Sequence, residues 1–148
     1  MNRLVIGFKK LPNCLGIPEY ATEGASCLDL HAATSENLII QPFERALVPT
    51  GIVLELPNGY EGQIRSRSGL ALEYGLTVLN GVGTIDSDYY GELKVILINL
   101  GSQTAEVRPG QRIAQLVIVN VTKVELNEVG ELKVQGGRED SGFGSTGT

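Results

Sequence analysis

The chain has no tryptophan, a single histidine and only two cysteines in 148 residues. His31 has no cysteine or histidine at ligand spacing, so it reads as a structural or surface residue rather than a metal ligand. Cys14 and Cys27 make neither a disulfide framework nor a zinc site. They read as small apolar side chains in a reducing compartment. No run approaches the ~20 apolar residues that span a bilayer, and Met1 to Lys10 lacks the apolar centre of a signal peptide. An intracellular, cytoplasmic protein with no membrane partner is expected. Positive charge is also scarce. The formal net charge is −5, which argues against a nucleic-acid binder, because phosphate backbones need broad basic patches. A small anionic ligand stays compatible if a few arginines and a metal ion act locally. Internal repeats, linkers and charge blocks are missing as well.

What is present is a chain 42% hydrophobic and 20% charged, long enough for one domain with a real core. Short runs rich in Val, Ile and Leu are separated by Gly, Pro and Asn. Strands are predicted over 3–8, 28–33, 38–41, 46–48, 52–56, 62–66, 92–100 and 113–121, the last read as buried on both faces. Pro57-Asn58-Gly59 is a turn signal. Leu76–Leu79 and Thr84–Ile85 flank Asn80–Gly83, which predicts a hairpin. Only Ser68–Tyr74 reads as a helix. Many strands and one short helix predict an all-β jelly roll or β-sandwich.

Four segments inside this domain carry polar chemistry. Arg67-Ser68-Gly69 follows a strand and opens the helix. Backbone N–H groups there favour an anion, with Arg67 adding charge; the plainer reading is an N-cap at Ser68 beside a solvated arginine. In Gly83–Gly91, Asp86 and Asp88 are placed on one face of a strand, with Ile85 and Tyr89 on the other. Asp86 could deprotonate a water there, or the two acids could be solvated edge residues. Asp29 interrupts the apolar run around Leu28 and Leu30, so it either points to solvent or serves a cation such as Mg²⁺. Gln115 interrupts Ile113–Val117 and needs a partner, in the protein or in a ligand.

The last residues differ from the rest. Residues 136–148 are glycine-rich and lack an apolar run, so a flexible arm is expected beyond a folded domain of residues 1–135. Arg138 offers a planar fork to phosphate. Phe143 offers a flat face to a base, and the glycines let backbone N–H groups approach phosphate oxygens.

In this order and spacing, the segments closely resemble the five motifs of the trimeric dUTP pyrophosphatases (dUTPases). Ala21–Leu30 resembles the first, Arg67–Ala71 the second and Asn80–Gly91 the third. Gly110–Leu116 resembles the fourth and Arg138–Gly147 the fifth. The resemblance implies a homotrimer of jelly-roll subunits that cleaves dUTP to dUMP and pyrophosphate with Mg²⁺. It implies that Asp86 orients the attacking water, and that Asn80, Thr84, Ile85 and the Lys94 main chain line the uracil pocket. Tyr89 would pack under the deoxyribose and exclude a 2′-hydroxyl. Arg67, Ser68, Gly69 and Gln115 would hold phosphates, and Asp29 would anchor magnesium through water. Arg138 would meet the γ-phosphate and Phe143 would stack on uracil. Gly144 and Ser145 would close over the phosphates from another subunit.

The chain departs from the family pattern at Ser66, where proline is common, and at Gly81-Val82, where Ala-Pro is common. Tyr90 replaces a common arginine, and Glu139 a common glycine. The related dCTP deaminases carry a glutamate where this chain has Ile96, and an aliphatic side chain cannot shuttle protons.

Overall fold

Short apolar-rich runs broken by Gly, Pro and Asn form twelve strands, with one helix, in the computed structural model, which describes residues 4–132. The chain runs through β1 (Gly7–Lys10), β2 (Glu19–Tyr20), β3 (Leu28–His31), β4 (Leu38–Ile40), β5 (Arg45–Pro49), β6 (Ile52–Glu55) and β7 (Tyr60–Arg65). Helix α1 (Ser68–Tyr74) follows, then β8 (Leu76–Val78), β9 (Gly83–Ile85), β10 (Lys94–Asn99), β11 (Ala105–Val107) and β12 (Arg112–Asn120). All pairings between them are antiparallel. Five strands form a sheet in the order β2-β3-β12-β7-β9, three form β5-β10-β8, and two-stranded ribbons β1-β6 and β11-β4 complete a jelly-roll β-sandwich.

The core lies between the sheets. Leu30, Ile64 and Leu116 face it from the five-stranded sheet, Val48, Val95 and Leu97 from the three-stranded one, and Ile40 and Val107 from the β11-β4 ribbon. Burial of each such side chain contributes roughly 1.5–3 kcal/mol. Leu116 pairs with Ile64 on one side and Leu28 on the other, so the neighbouring residue, Gln115, has the opposite parity. Gln115 stands between Asp29 and Arg65 in one cross-strand row on the face turned from the core. A two-residue side-chain period makes that division unavoidable.

The helix sits where the sequence predicts it. It begins after Arg67, whose backbone is extended, and ends at Gly75, whose φ of 69° is left-handed. The Gly75 N–H returns to the Ala71 and Leu70 carbonyls, the usual way a glycine closes a helix. Ser68 is the first helical residue; Arg67 holds the N-cap position without a side-chain cap bond, so capping by Ser68 is corrected.

Other expectations change in detail. The first strand is shifted to Gly7–Lys10, and β2 and β11 were not anticipated. The predicted hairpin is not a ladder: β8 pairs with β10 and β9 pairs with β7. Asn80–Gly83 therefore carries the chain from one sheet to the other. Strand β9 ends at Ile85, so Asp86 and Asp88 lie in the turn beyond it and do not share a strand face. In β12 only the first half alternates into the core; Val117, Ile118 and Val119 are half-buried. Among the described residues no helix is long and apolar enough to cross a membrane.

Candidate active site

Asp29 is 4% exposed, and both oxygens of its carboxylate accept hydrogen bonds, two at Oδ1 and one at Oδ2. Arg67 Nε donates to Oδ1 at 3.2 Å, Arg112 Nη1 to Oδ2 at 3.2 Å and Gln115 Nε2 to Oδ1 at 3.4 Å. A buried carboxylate requires such partners. The reading of Asp29 as solvent-directed is therefore corrected, and the partner Gln115 needs is the protein's own aspartate. Arg67 Nη1 also donates to the Arg112 carbonyl at 3.2 Å. With Nε and Nη1 occupied, the guanidinium is fixed in orientation, and among the described residues Nη2 makes no hydrogen bond. The result is a basic corner at the start of α1, next to the exposed Ser68 and Gly69.

Arg112 carries no role in the sequence reading. Its signal was indirect: an acid within an apolar strand calls for a nearby cation, yet Arg112 lies 83 residues from Asp29 in the chain.

Ser66 supports the same corner. Its hydroxyl accepts the Val78 N–H at 2.9 Å and lies 2.7 Å from the Thr77 hydroxyl. Both bonds fasten the residue before Arg67 to β8.

A second group of residues surrounds a cavity of about 280 Å³, lined by Leu47, Thr84, Ile85, Asp86, Tyr89, Lys94 and Ile96. Its volume is near the lower end for small-molecule sites. Thr84, Ile85, Asp86, Tyr89 and Lys94 are thus brought together. Asn80 is exposed on the crossing segment, with its side chain beside Gly83, and does not line this cavity. The Asp86 carbonyl accepts the Tyr89 N–H at 3.1 Å, closing the turn that carries both residues. The Tyr89 hydroxyl donates to the Glu92 carbonyl at 2.9 Å. Glu92 is a further residue that the sequence reading passes over. Its carboxylate accepts the Gly51 N–H at 2.9 Å and the Asn13 amide at 3.1 Å, and lies 3.8 Å from Lys94 Nζ.

The basic corner and the Asp86 cavity are far apart within one chain. Ile85, the residue before Asp86, pairs with Gly62, while Asp29 and Gln115 are level with Arg65, so Asp86 lies one residue further along the strand direction than Gly62. Four residues along the strands and three strand spacings across them separate Asp29 from Asp86 by roughly 20 Å. Arg138, Phe143, Gly144 and Ser145 lie outside the described residues.

Other features stand apart from these groups. A larger cavity of about 590 Å³, beside Tyr74, Glu106 and Arg108, contains none of the predicted residues. Tyr74, the last helical residue, is held above the usual phenol range by its hydrogen bond to Glu73 and by that carboxylate's charge. Cys14 and Cys27 are free and half-buried. Among the described residues, no cluster of three His, Cys, Asp or Glu side chains is poised to hold a metal.

The dUTPase family model matches residues 15–147. A deoxyuridine 5'-triphosphate nucleotidohydrolase of Hydrogenobaculum sp. is 58% identical over 139 residues, covering 94% of this chain and 95% of that protein. Among solved structures, a Staphylococcus bacteriophage 80alpha mutant dUTPase with dUpNHpp superposes with a TM-score of 0.87 at 27% identity, covering 97% of this chain and 99% of the other. A mutant dUTPase of S. aureus phage phi11, described with a structural Mg(II) ion, has a TM-score of 0.79 at 25% identity over 88% of this chain and all of the other.

Proposed function

Since this chain belongs to the dUTPase family, we propose that it hydrolyses dUTP to dUMP and pyrophosphate in sites completed between copies of a cytoplasmic homotrimer. The observation that carries this reading is the cavity on which Asp86, Tyr89, Thr84 and Lys94 converge. Asp86 is exposed at its rim, and its role is to orient a water and take its proton as the water attacks the α-phosphorus. Uracil lies against Thr84, Ile85 and the Lys94 main chain, with Asn80 at its edge. Tyr89 packs against the sugar. The chemistry is in-line displacement at phosphorus, with catalysis arising from positioning and charge.

The triphosphate is held by Arg67, Ser68, Gly69 and Gln115. A general base works within about 3 Å of its proton, or through one water. The separation of roughly 20 Å, inferred from strand geometry, prevents one chain's basic corner and Asp86 from meeting on a single triphosphate. A neighbouring copy then supplies the other half, which supports the trimeric reading. Residues 136–148 form the arm of a further copy, with Arg138 at the γ-phosphate, Phe143 on uracil, and Gly144 and Ser145 over the phosphates. Closure completes the site and keeps bulk water out while the attacking water stays held by Asp86.

Asp29 fits an outer-sphere role toward Mg²⁺. Of its two oxygens, Oδ2 accepts a single bond, from Arg112, which leaves it able to accept from a water of a hydrated cation. Magnesium supplies charge neutralisation at the phosphate oxygens when bound. Asp29 also fixes Arg67 whether or not the cation is present.

Pyrophosphate release with Mg²⁺ from dUTP, set beside dCTP, dTTP and UTP, tests the function. Rapid release from dUTP alone is expected. Comparable release from all four would contradict the base and sugar assignments.

A further inference from the structure

The Tyr89 ring is fastened at its far end. Its hydroxyl donates to the Glu92 carbonyl at 2.9 Å, spanning three residues. The loop this closes is tight enough that a Cβ at Gly91 would lie 2.5 Å from the Tyr89 hydroxyl oxygen and 2.6 Å from Cζ. Real Cβ atoms do not approach so closely, so any side chain at 91 forces the ring to swing away and break its bond to Glu92. Glycine is needed here because of this close approach.

The carbonyl that receives the hydroxyl is itself immobilised. Glu92 is anchored through its side chain, which is 16% exposed and accepts from the Gly51 N–H at 2.9 Å and the Asn13 amide at 3.1 Å. The next residue continues the anchorage: the Leu93 N–H donates to the Ile52 carbonyl at 2.7 Å, and the Leu93 carbonyl accepts from the Thr50 hydroxyl at 2.8 Å. Tyr89 is 45% exposed and lines the cavity. Its position depends on this chain of bonds from the sandwich body.

We propose that Gly91 and Glu92 are positioning residues that hold Tyr89 as the wall by which the site refuses a 2′-hydroxyl. Gly91 makes the space for the ring's hydroxyl, and Glu92 fixes the carbonyl that retains it. The proposal rests on the reading of Tyr89 as the residue against the sugar. A ring that can tilt admits one more oxygen atom; a ring pinned at its far end does not. Discrimination between ribose and deoxyribose, rather than turnover of dUTP, is the property these residues set.

The test is the ratio of kcat/KM for UTP to that for dUTP, measured on the full chain with Mg²⁺, with folding checked by circular dichroism. Tyr89→Ala sets the scale. A raised ratio there supports the ring as the wall, whereas an unchanged ratio overturns the sugar reading and this proposal with it. Given that rise, Gly91→Ala should raise the ratio by about tenfold, the order a steric pocket provides. Glu92→Ala should raise it severalfold, as loss of one anchoring hydrogen bond would. Glu92→Gln keeps an acceptor for the Gly51 N–H and should stay within about twofold of wild type. A folded Gly91→Ala with the wild-type ratio, alongside a raised ratio in Tyr89→Ala, overturns the positioning role alone. If Gly91→Ala fails to fold, Tyr89→Phe decides: it keeps the ring and loses the tether, so a raised ratio supports the proposal and an unchanged one overturns it.

Discussion

Arg67 donates through Nε to Asp29 Oδ1 at 3.2 Å, so the arginine assigned to phosphate is already oriented by a buried carboxylate. Asp29→Ala should therefore act on two properties. Loss of the carboxylate leaves Arg67 and Gln115 without their partner, a change of about 1–3 kcal/mol in stability. It should also raise KM for dUTP, because Arg67 is no longer held in place. A denaturant melt and steady-state kinetics check both. Asp29→Asn keeps acceptor capacity and should recover part of the stability, but it loses the negative charge offered to magnesium's waters. A higher Mg²⁺ midpoint for Asp29→Asn is expected; an unchanged midpoint would confine Asp29 to positioning.

Asp86 lies in the turn after β9 and at the cavity rim. Asp86→Asn should retain dUTP binding while turnover falls by about 10²–10⁴, the usual contribution of a positioned base. Calorimetric binding of a non-hydrolysable analogue and pyrophosphate release separate the two effects. Near-normal hydrolysis would remove Asp86 from the mechanism.

Ser66 holds the strand-to-helix junction through the Val78 N–H. Ser66→Ala orphans that part-buried donor and should destabilise the fold by about 1–3 kcal/mol. The denaturant midpoint should fall with the slope unchanged.

Removal of residues 137–148 should cripple turnover and leave the melting temperature of the folded domain nearly unchanged, since the arm has no apolar run that could pack. A fully active truncation would show that the arm is not a lid. Within the arm, Glu139→Gly should lower KM for dUTP, because a carboxylate beside Arg138 opposes a phosphate.

Local signals in the sequence proved the most legible. Helix α1 was readable over residues 68–74, and the structure adds its stop, the left-handed Gly75. The all-β class followed from alternating runs bounded by turns. The crossing at Asn80–Gly83 was not readable, because proximity in the chain favours pairing β8 with β9, whereas their real partners, β10 and β7, satisfy two different sheets. The surroundings of Asp29 were hidden for the same reason. Its ligands come from α1's N-cap and from β12, and no local pattern records that meeting. The cavity residues Thr84, Ile85, Asp86, Tyr89 and Lys94 fell within eleven positions, and resemblance to a family motif named them before geometry grouped them.

In the proposed trimer, one site draws Asp86 and Arg67 from different copies. Mixing inactive Asp86→Asn with inactive Arg67→Ala, unfolded together and refolded at equal ratio, tests it most directly. In randomly assembled trimers each pairing draws an intact Asp86 half the time and an intact Arg67 half the time, so about a quarter of wild-type dUTP turnover should return. Activity no higher than that of the two inactive variants, in trimers shown to be mixed, would place both residues in one chain's site and contradict the account.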